Sequence, residues 1–225
     1  MLPGGEIMLG LPASTELNKK QGRNIPKTKF FSNIDLTGAQ ERLFVDELSS
    51  IKWMNKISPA TMNLTISNGI LELEVFYLKL KGMNVSERLL KIIDSAIVHP
   101  IIYVLDNENT SKIMISYKES SDSGKVNVKT YYSTEWVKDL PSLDFNALTT
   151  GELYQSLISQ ISDSRIITPN SEVSLAESVS LDIDRQKALA EIEKLEQKIK
   201  RTNQPNKKIE LVHQLRELKE TWGVD

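Results

Sequence analysis

The stretch ILELEVFYLKLKG, Ile70–Gly82, decides how this chain folds. It opens in alternation, with Leu71 and Leu73 against Glu72 and Glu74, and it closes in alternation with Lys79-Leu80-Lys81. Between these ends Val75, Phe76, Tyr77 and Leu78 would place apolar groups on both faces of a strand. A strand that is amphipathic at its tips and apolar through its middle is a central strand covered on both sides. Leu71–Lys81 is therefore predicted to be internal, with Phe76 and Leu78 in the core.

Working upstream, Ser67-Asn68-Gly69 is a hairpin turn signal, and the run Met62–Ile66 before it reads as a partner strand. Further back, Thr37 can cap a helix, with Glu41 four residues on. Leu43, Phe44, Leu48 and Ile51 continue it as an apolar stripe at three- and four-residue spacing, and Pro59 closes the connection. Downstream, a helix from Ser86 carries Leu89, Leu90, Ile92, Ile93, Ala96 and Ile97 on one broad face and stops at His99-Pro100. IIYVLD (Ile101–Asp106) and KIMISYK (Lys112–Lys118) form a hairpin about the turn Asn107–Thr110, and VNVKTYYS (Val126–Ser133) adds a further strand. Leu148–Ile161 is another amphipathic helix. The order helix, two strands, helix, three strands, helix predicts an α+β body with a mostly antiparallel sheet.

A Ser-, Asp-, Pro- and Asn-rich linker over 162–180 leads to a second patterned region. Ala188, Ile192, Leu195 and Ile199 repeat at heptad spacing, and Leu211, Leu215, Leu218 and Trp222 repeat it beyond the breaker Thr202–Asn206. Residues 181–225 are thus expected to form an antiparallel helical hairpin of the coiled-coil type. Its seam is narrow, so Leu189, Ile209 and Val212 are left as candidate contacts for a partner protein or a second copy of the chain. At the other end, residues 1–31 hold Pro3, Gly4, Gly5, Gly10, Pro12, Gly22 and Pro26 and read as an extended arm ahead of the body at 32–161. The arm carries Lys19, Lys20, Arg23, Lys27 and Lys29 against Glu6 and Glu16, a net +3, while 32–180 holds 13 basic and 19 acidic residues. Basic side chains followed by Phe30 and Phe31 suit contact with nucleic-acid phosphates. The plainer reading is a solvated arm whose phenylalanines fold into the core.

Composition narrows the chemistry. The 225 residues are 40% hydrophobic and 26% charged, the balance of an ordinary globular chain. No window approaches the roughly 18 apolar residues of a membrane span. Pro3, Gly4, Gly5 and Glu6 interrupt any secretory signal, which points to a cytoplasmic protein. The chain has no cysteine, which excludes disulfides, thiolate zinc, iron–sulfur clusters and thiol nucleophiles. His99 and His213 are the only histidines, neither set among triad partners, and no phosphate-cradling glycine motif is present. No catalytic residue, metal site or cofactor is predicted. Restriction-type nucleases need an acidic residue and a Glu-x-Lys pair on adjoining strands to hold Mg²⁺ and orient water. Here Lys79-Leu80-Lys81 stands in that place, and Glu72 and Glu74 lie on the opposite strand face from both lysines.

The segments LPASTELNKKQGRNIPKTKFF, LTGAQERLFVDELSSIKWMNKISPATMNL, ELEVFYLKLK, HPIIYVL and STEW, together with the heptad tail, resemble an uncharacterised bacterial family, domain of unknown function 4391. The similarity runs from about Leu11 to Trp222. It implies an accessory role beside helicase-like ATPases and DNA methyltransferases in restriction or phage-defence gene clusters, and it brings no catalytic residues with it. Some members carry an acidic residue two before the lysine matching Lys81, where this chain has Lys79. The expected function is a non-catalytic accessory or scaffold subunit of a DNA-processing complex. The alternative is a degenerate, metal-dependent restriction-endonuclease-like nuclease.

Overall fold

β3 (Leu73–Leu80) is an inner strand of a six-stranded sheet whose spatial order follows the chain from β1 to β6. Phe76 is 3% exposed and Leu78 fully buried, as the apolar middle of the strand requires. The computed structural model describes residues 9–17, 22–120, 126–163, 165–166 and 174–224. They fall into two compact units, Met1–Pro169 and Asn170–Asp225.

In the first unit β1 (Arg23–Asn24) and α1 (Thr28–Asn33) precede α2 (Gly38–Glu47), which leads straight into β2 (Leu48–Ile57). β3 follows β2 in antiparallel register, with Trp53 opposite Phe76 and Lys56 opposite Glu74. α3 (Glu87–Ala96) then crosses over so that β4 (Ile101–Asp106) runs parallel to β3, Glu74 facing Ile101. β5 (Ser111–Ser120) and β6 (Val126–Ser133) complete an antiparallel meander, and α4 (Thr150–Ile161) closes the unit. Among the described strand pairs β3–β4 alone is parallel, and the body is α+β with a mostly antiparallel sheet.

Side chains alternate across the sheet, so each face has its own helices. Phe76, Leu78, Leu80, Tyr103 and Leu105 meet Phe30 of α1, Phe44 of α2 and Leu89, Leu90 and Ile93 of α3 in one core. The opposite face offers Val75, Ile102, Val104, Ile113 and Ile115, all buried, and there the Tyr117 ring stacks on Tyr154 of α4 at 6.3 Å. Tyr154 also replaces strand pairing that β4 is too short to give. Its hydroxyl donates to Ser116 O at 2.7 Å and accepts from Lys118 N at 3.0 Å.

Several expected elements move. The helix predicted through Leu48 and Ile51 ends at Glu47, and those residues begin β2. The register slips between Leu48 and Ser50 and again between Trp53 and Asn55. Each bulge inserts one residue, so Leu48 and Ile51, three apart, point to the same face and imitate a helical stripe. The cap at Thr37 forms as expected, although the reciprocal side chain is Gln40 rather than Glu41. The strand expected over Met62–Ile66 is reduced to isolated bridges, Thr65 to Thr149 and Ser67 to Ile70. The turn between the latter uses left-handed Asn68 (φ 52°) and Gly69 (φ 71°).

The described part of segment 1–31 is not an extended arm. Thr28 already lies in α1, Arg23 pairs with Trp53 on the sheet edge, and Phe30 stacks on Phe44 at 5.2 Å in the core. The linker expected over 162–180 is also shorter. Ser159 Oγ donates to Ile166 O at 2.9 Å, holding Ile166 on α4, and Ser174 with Glu177 forms a capping box that starts the next helix at Leu175 rather than 181.

The second unit is a helical hairpin of α5 (Leu175–Arg201) and α6 (Pro205–Trp222). Pro205 sits inside the first turn of α6, where its missing N–H costs nothing. Left-handed Gly223 (φ 59°) ends the helix. Ala188, Ile192 and Leu195 are buried, while Leu211, Leu215, Leu218 and Trp222 are half-buried.

Candidate functional site

The second bulge of β2 builds the most reactive-looking cluster in the body. Trp53 and Lys56 are three residues apart and would face apart on a regular strand. With the extra residue between Trp53 and Asn55, both lie on the Glu74 face. The Trp53 indole N–H is shared between Asn55 O at 3.1 Å and Glu74 Oε2 at 2.5 Å. Two residues earlier, just ahead of β3, Glu72 receives Lys56 Nζ at 2.5 Å and His99 Nε2 at 3.2 Å. His99 lies in the turn between α3 and β4, so the cluster ties three segments together.

The two carboxyls lie in different surroundings. Glu74 is 3% exposed, and its burial, with Glu72 beside it, pushes its pKa up to about 8. Glu72 is more open; burial works against its charge, but hydrogen bonds from Lys56 and Glu74 and the nearby His99 and Lys56 charges prevail, and its pKa falls below the ordinary carboxylate value. One neutral carboxyl beside one ionised carboxylate is a proton donor next to a proton acceptor. Among the described residues no group of three His, Asp or Glu side chains is placed to hold a metal ion.

A second polar cluster is built around a buried carboxylate. Asp94, on the sheet-facing side of α3, accepts from Tyr103 OH at 3.0 Å, Tyr131 OH at 2.7 Å and Ser116 Oγ at 2.9 Å. Lys118 Nζ lies 2.9 Å from Asp94 Oδ1, with side chains 3% and 0% exposed. The lysine also donates to Ile97 O at 2.5 Å, at the C-cap of α3, and to His99 O at 2.8 Å in the turn that follows. Burial, then the charge of Asp94, raises the Tyr103 and Tyr131 hydroxyls above their ordinary range. With its acceptors and donors matched, this network holds α3 to β5.

The residues singled out from the sequence are scattered. Arg23 is exposed on the edge strand and Lys29 exposed on α1. Lys27 Nζ donates to Leu48 O at 2.5 Å, and burial, with Lys81 nearby, holds its pKa below the usual lysine value. Lys19 and Lys20 fall outside the described residues. Lys79 pairs with Glu108 at 3.4 Å on the face away from Glu74. In the hairpin Leu189 is half-buried, and Ile209 and Val212 are 58% and 47% exposed. Asp94, Lys118, Trp53 and Lys56 carried no recognisable sequence signal, because a bulge and long-range pairing bring their partners to them.

A family model, Domain of unknown function (DUF4391), matches residues 9–221. The chain belongs to the DUF4391 family. The match takes in both compact units, so the hairpin is part of what defines a DUF4391 domain. It likewise covers both polar clusters of this DUF4391 chain, at Glu72–Glu74 and at Asp94–Lys118. No curated protein and no solved structure matches the chain.

Proposed function

We propose that this chain is a non-catalytic accessory subunit of a DNA-processing complex of the restriction or phage-defence kind, with its α+β body as scaffold and its helical hairpin as the contact to a partner protein. The observation that carries this reading is the incomplete burial of α6. None of the described residues of that helix is buried, and Ile209 and Val212 stand exposed beside the half-buried seam. A helix of 18 residues with so little cover is weakly held on its own. A coiled-coil-like docking of partner helices would bury both residues. The chemistry of the body supports the same reading, because the Asp94–Lys118 network is spent on structure. The partners implied by the resemblance are a helicase-like ATPase or a DNA methyltransferase, with nucleic acid reached through Arg23, Lys29 and the neighbouring Lys19 and Lys20.

The test is co-purification of the tagged full-length chain with each co-expressed neighbour. Replacing Ile209 and Val212 with Asp should abolish the complex while circular dichroism stays unchanged. Normal complex formation by that variant would move the interface to the sheet body.

A further inference from the structure

Among the described residues no cation is paired with Glu74. Its Oε2 accepts from the Trp53 indole, while Lys56, the ammonium from the neighbouring strand, is held at 2.5 Å by Glu72. His99 is likewise bound to Glu72. A carboxylate buried to 3% exposure without a paired cation is costly, and a second carboxylate two residues away on the same face adds like-charge repulsion. The inexpensive state holds one proton between the two side chains. We infer that the Glu72–Glu74 pair is a proton-held latch joining β2, β3 and the turn before β4, closed while the shared proton is present and loosened when it leaves.

The other charged groups around Glu74 do not replace that proton. From β2 only Lys56 reaches the pair, and from the α3–β4 turn only His99. Arg23 on β1 lies across from Trp53 and is exposed, and Glu16 is bridged to Asn55 and carries the wrong sign. Lys118 of β5 reaches the His99 carbonyl but is paired with Asp94. Loss of the proton therefore leaves two negative carboxyls sharing the single ammonium of Lys56. The hydrogen bond between the two carboxyls is then lost and their like charges push β3 and the segment before it apart, while the Trp53 indole and Lys56, which bind the ionised carboxylates better, offset only part of that repulsion. Burial sets the release just above neutrality, with Glu74 titrating at about 8.

Trp53 is a built-in reporter. In a W136F/W222F background its emission should change in one sigmoid step with a midpoint near pH 8. Glu72→Gln should move that midpoint down by removing the like charge, and Glu74→Gln should abolish the step. Hydrogen exchange on the otherwise unaltered chain gives an independent reading. After correction for base catalysis, residues 53–57 and 72–75 should open above the midpoint in the native sequence and not in Glu74→Gln. A flat response over about two pH units either side of the midpoint in both measurements, or a step that survives Glu74→Gln, would overturn the latch.

Discussion

Lys118 and Asp94 sit 24 residues apart in sequence and 2.9 Å apart in the fold, buried together where α3 ends over β5. The lysine serves two purposes: it neutralises the carboxylate and it caps the open carbonyls of the helix. Removing either partner leaves the other as an uncompensated buried charge, whereas removing both leaves a void and unsatisfied hydroxyls. Asp94→Ala should therefore destabilise the body by about 3–5 kcal/mol in urea unfolding. Lys118→Met should cost a similar amount, and the double variant should cost clearly less than the two added together. Additive losses would mean that the pair is not coupled.

The central strand gives a simpler test. The Phe76 ring is 6.5 Å from both Trp53 and Tyr103, edge-on to the latter, at the middle of the helix-covered core. Truncation removes those contacts and leaves a cavity. Phe76→Ala should cost about 3–5 kcal/mol by thermal or chemical denaturation. A loss below about 1 kcal/mol would place the ring at a site that can collapse around the gap.

That strand was legible in the sequence because its signal is local: tips that alternate and a middle that does not. The same holds for α3, β4, β6 and the hairpin seam, where period and punctuation agree. β2 was hidden for a physical reason. Its two bulges convert a period of two into spacings of three, and Leu48 and Ile51 then look like the end of a helix. The polar clusters were illegible for another reason. Asp94 meets Ser116 and Tyr131, and Trp53 meets Glu74, only after the sheet has assembled. The basic N-terminal stretch misled through composition, since Gly10, Pro12, Gly22 and Pro26 shape turns in a packed segment as readily as they would loosen an arm.

Glu74 also makes stability depend on pH. Its folded pKa, about 8, lies above the ordinary glutamate value of 4.5, so between these values the folded chain holds a proton that the unfolded chain has lost. Stability from this group is complete below the unfolded value and is lost as pH rises through the folded one. Urea midpoints should accordingly fall from acid-neutral pH toward pH 8 and level off above it. Glu74→Gln should remove this component of the slope, as read from midpoints across the same range. An identical slope in the variant would assign the dependence to other groups.

Glu74 likewise discriminates the accessory reading from the nuclease alternative. A metal-dependent nuclease would have to recruit Glu72 and Glu74, yet Glu72 is paired with Lys56 and His99. Plasmid DNA incubated with the chain should remain intact when Mg²⁺ or Mn²⁺ is titrated in. Cleavage that disappears in Glu74→Ala would establish the nuclease and overturn the accessory role.

For nucleic acid, the relevant cations are those free to meet phosphate. Lys27 is committed to the Leu48 carbonyl, while Arg23 and Lys29 are exposed. Binding through Arg23, Lys29, Lys19 and Lys20 should weaken steeply with salt, with a log–log slope of about −0.9 per phosphate contacted on duplex DNA. Neutralising Lys19, Lys20 and Arg23 together should flatten the slope, whereas Lys27→Met should leave it nearly unchanged and lower stability instead. No binding at low salt would reduce these residues to solvated surface charge.

Local stability should be lowest in the hairpin, and this follows from burial alone. Below the Glu74 midpoint, amides in β3 and β4 lie in a sheet covered on both faces, so they exchange only through openings close to global unfolding. α6 has no buried residue, and its cross-links to α5 are half-exposed side chains and the Lys219–Glu196 pair at 3.1 Å. Exchange in α6 should therefore be faster than in β3 and β4 in the isolated protein. Leu195→Ala should accelerate it further, because Leu195, 5% exposed, is among the few buried anchors of the seam, while the melting of the sheet should move little. Adding the true partner should slow exchange around Ile209 and Val212 specifically. An α6 already protected to the level of β3 would mean that the hairpin is complete by itself, and the case for a partner at this face would fail.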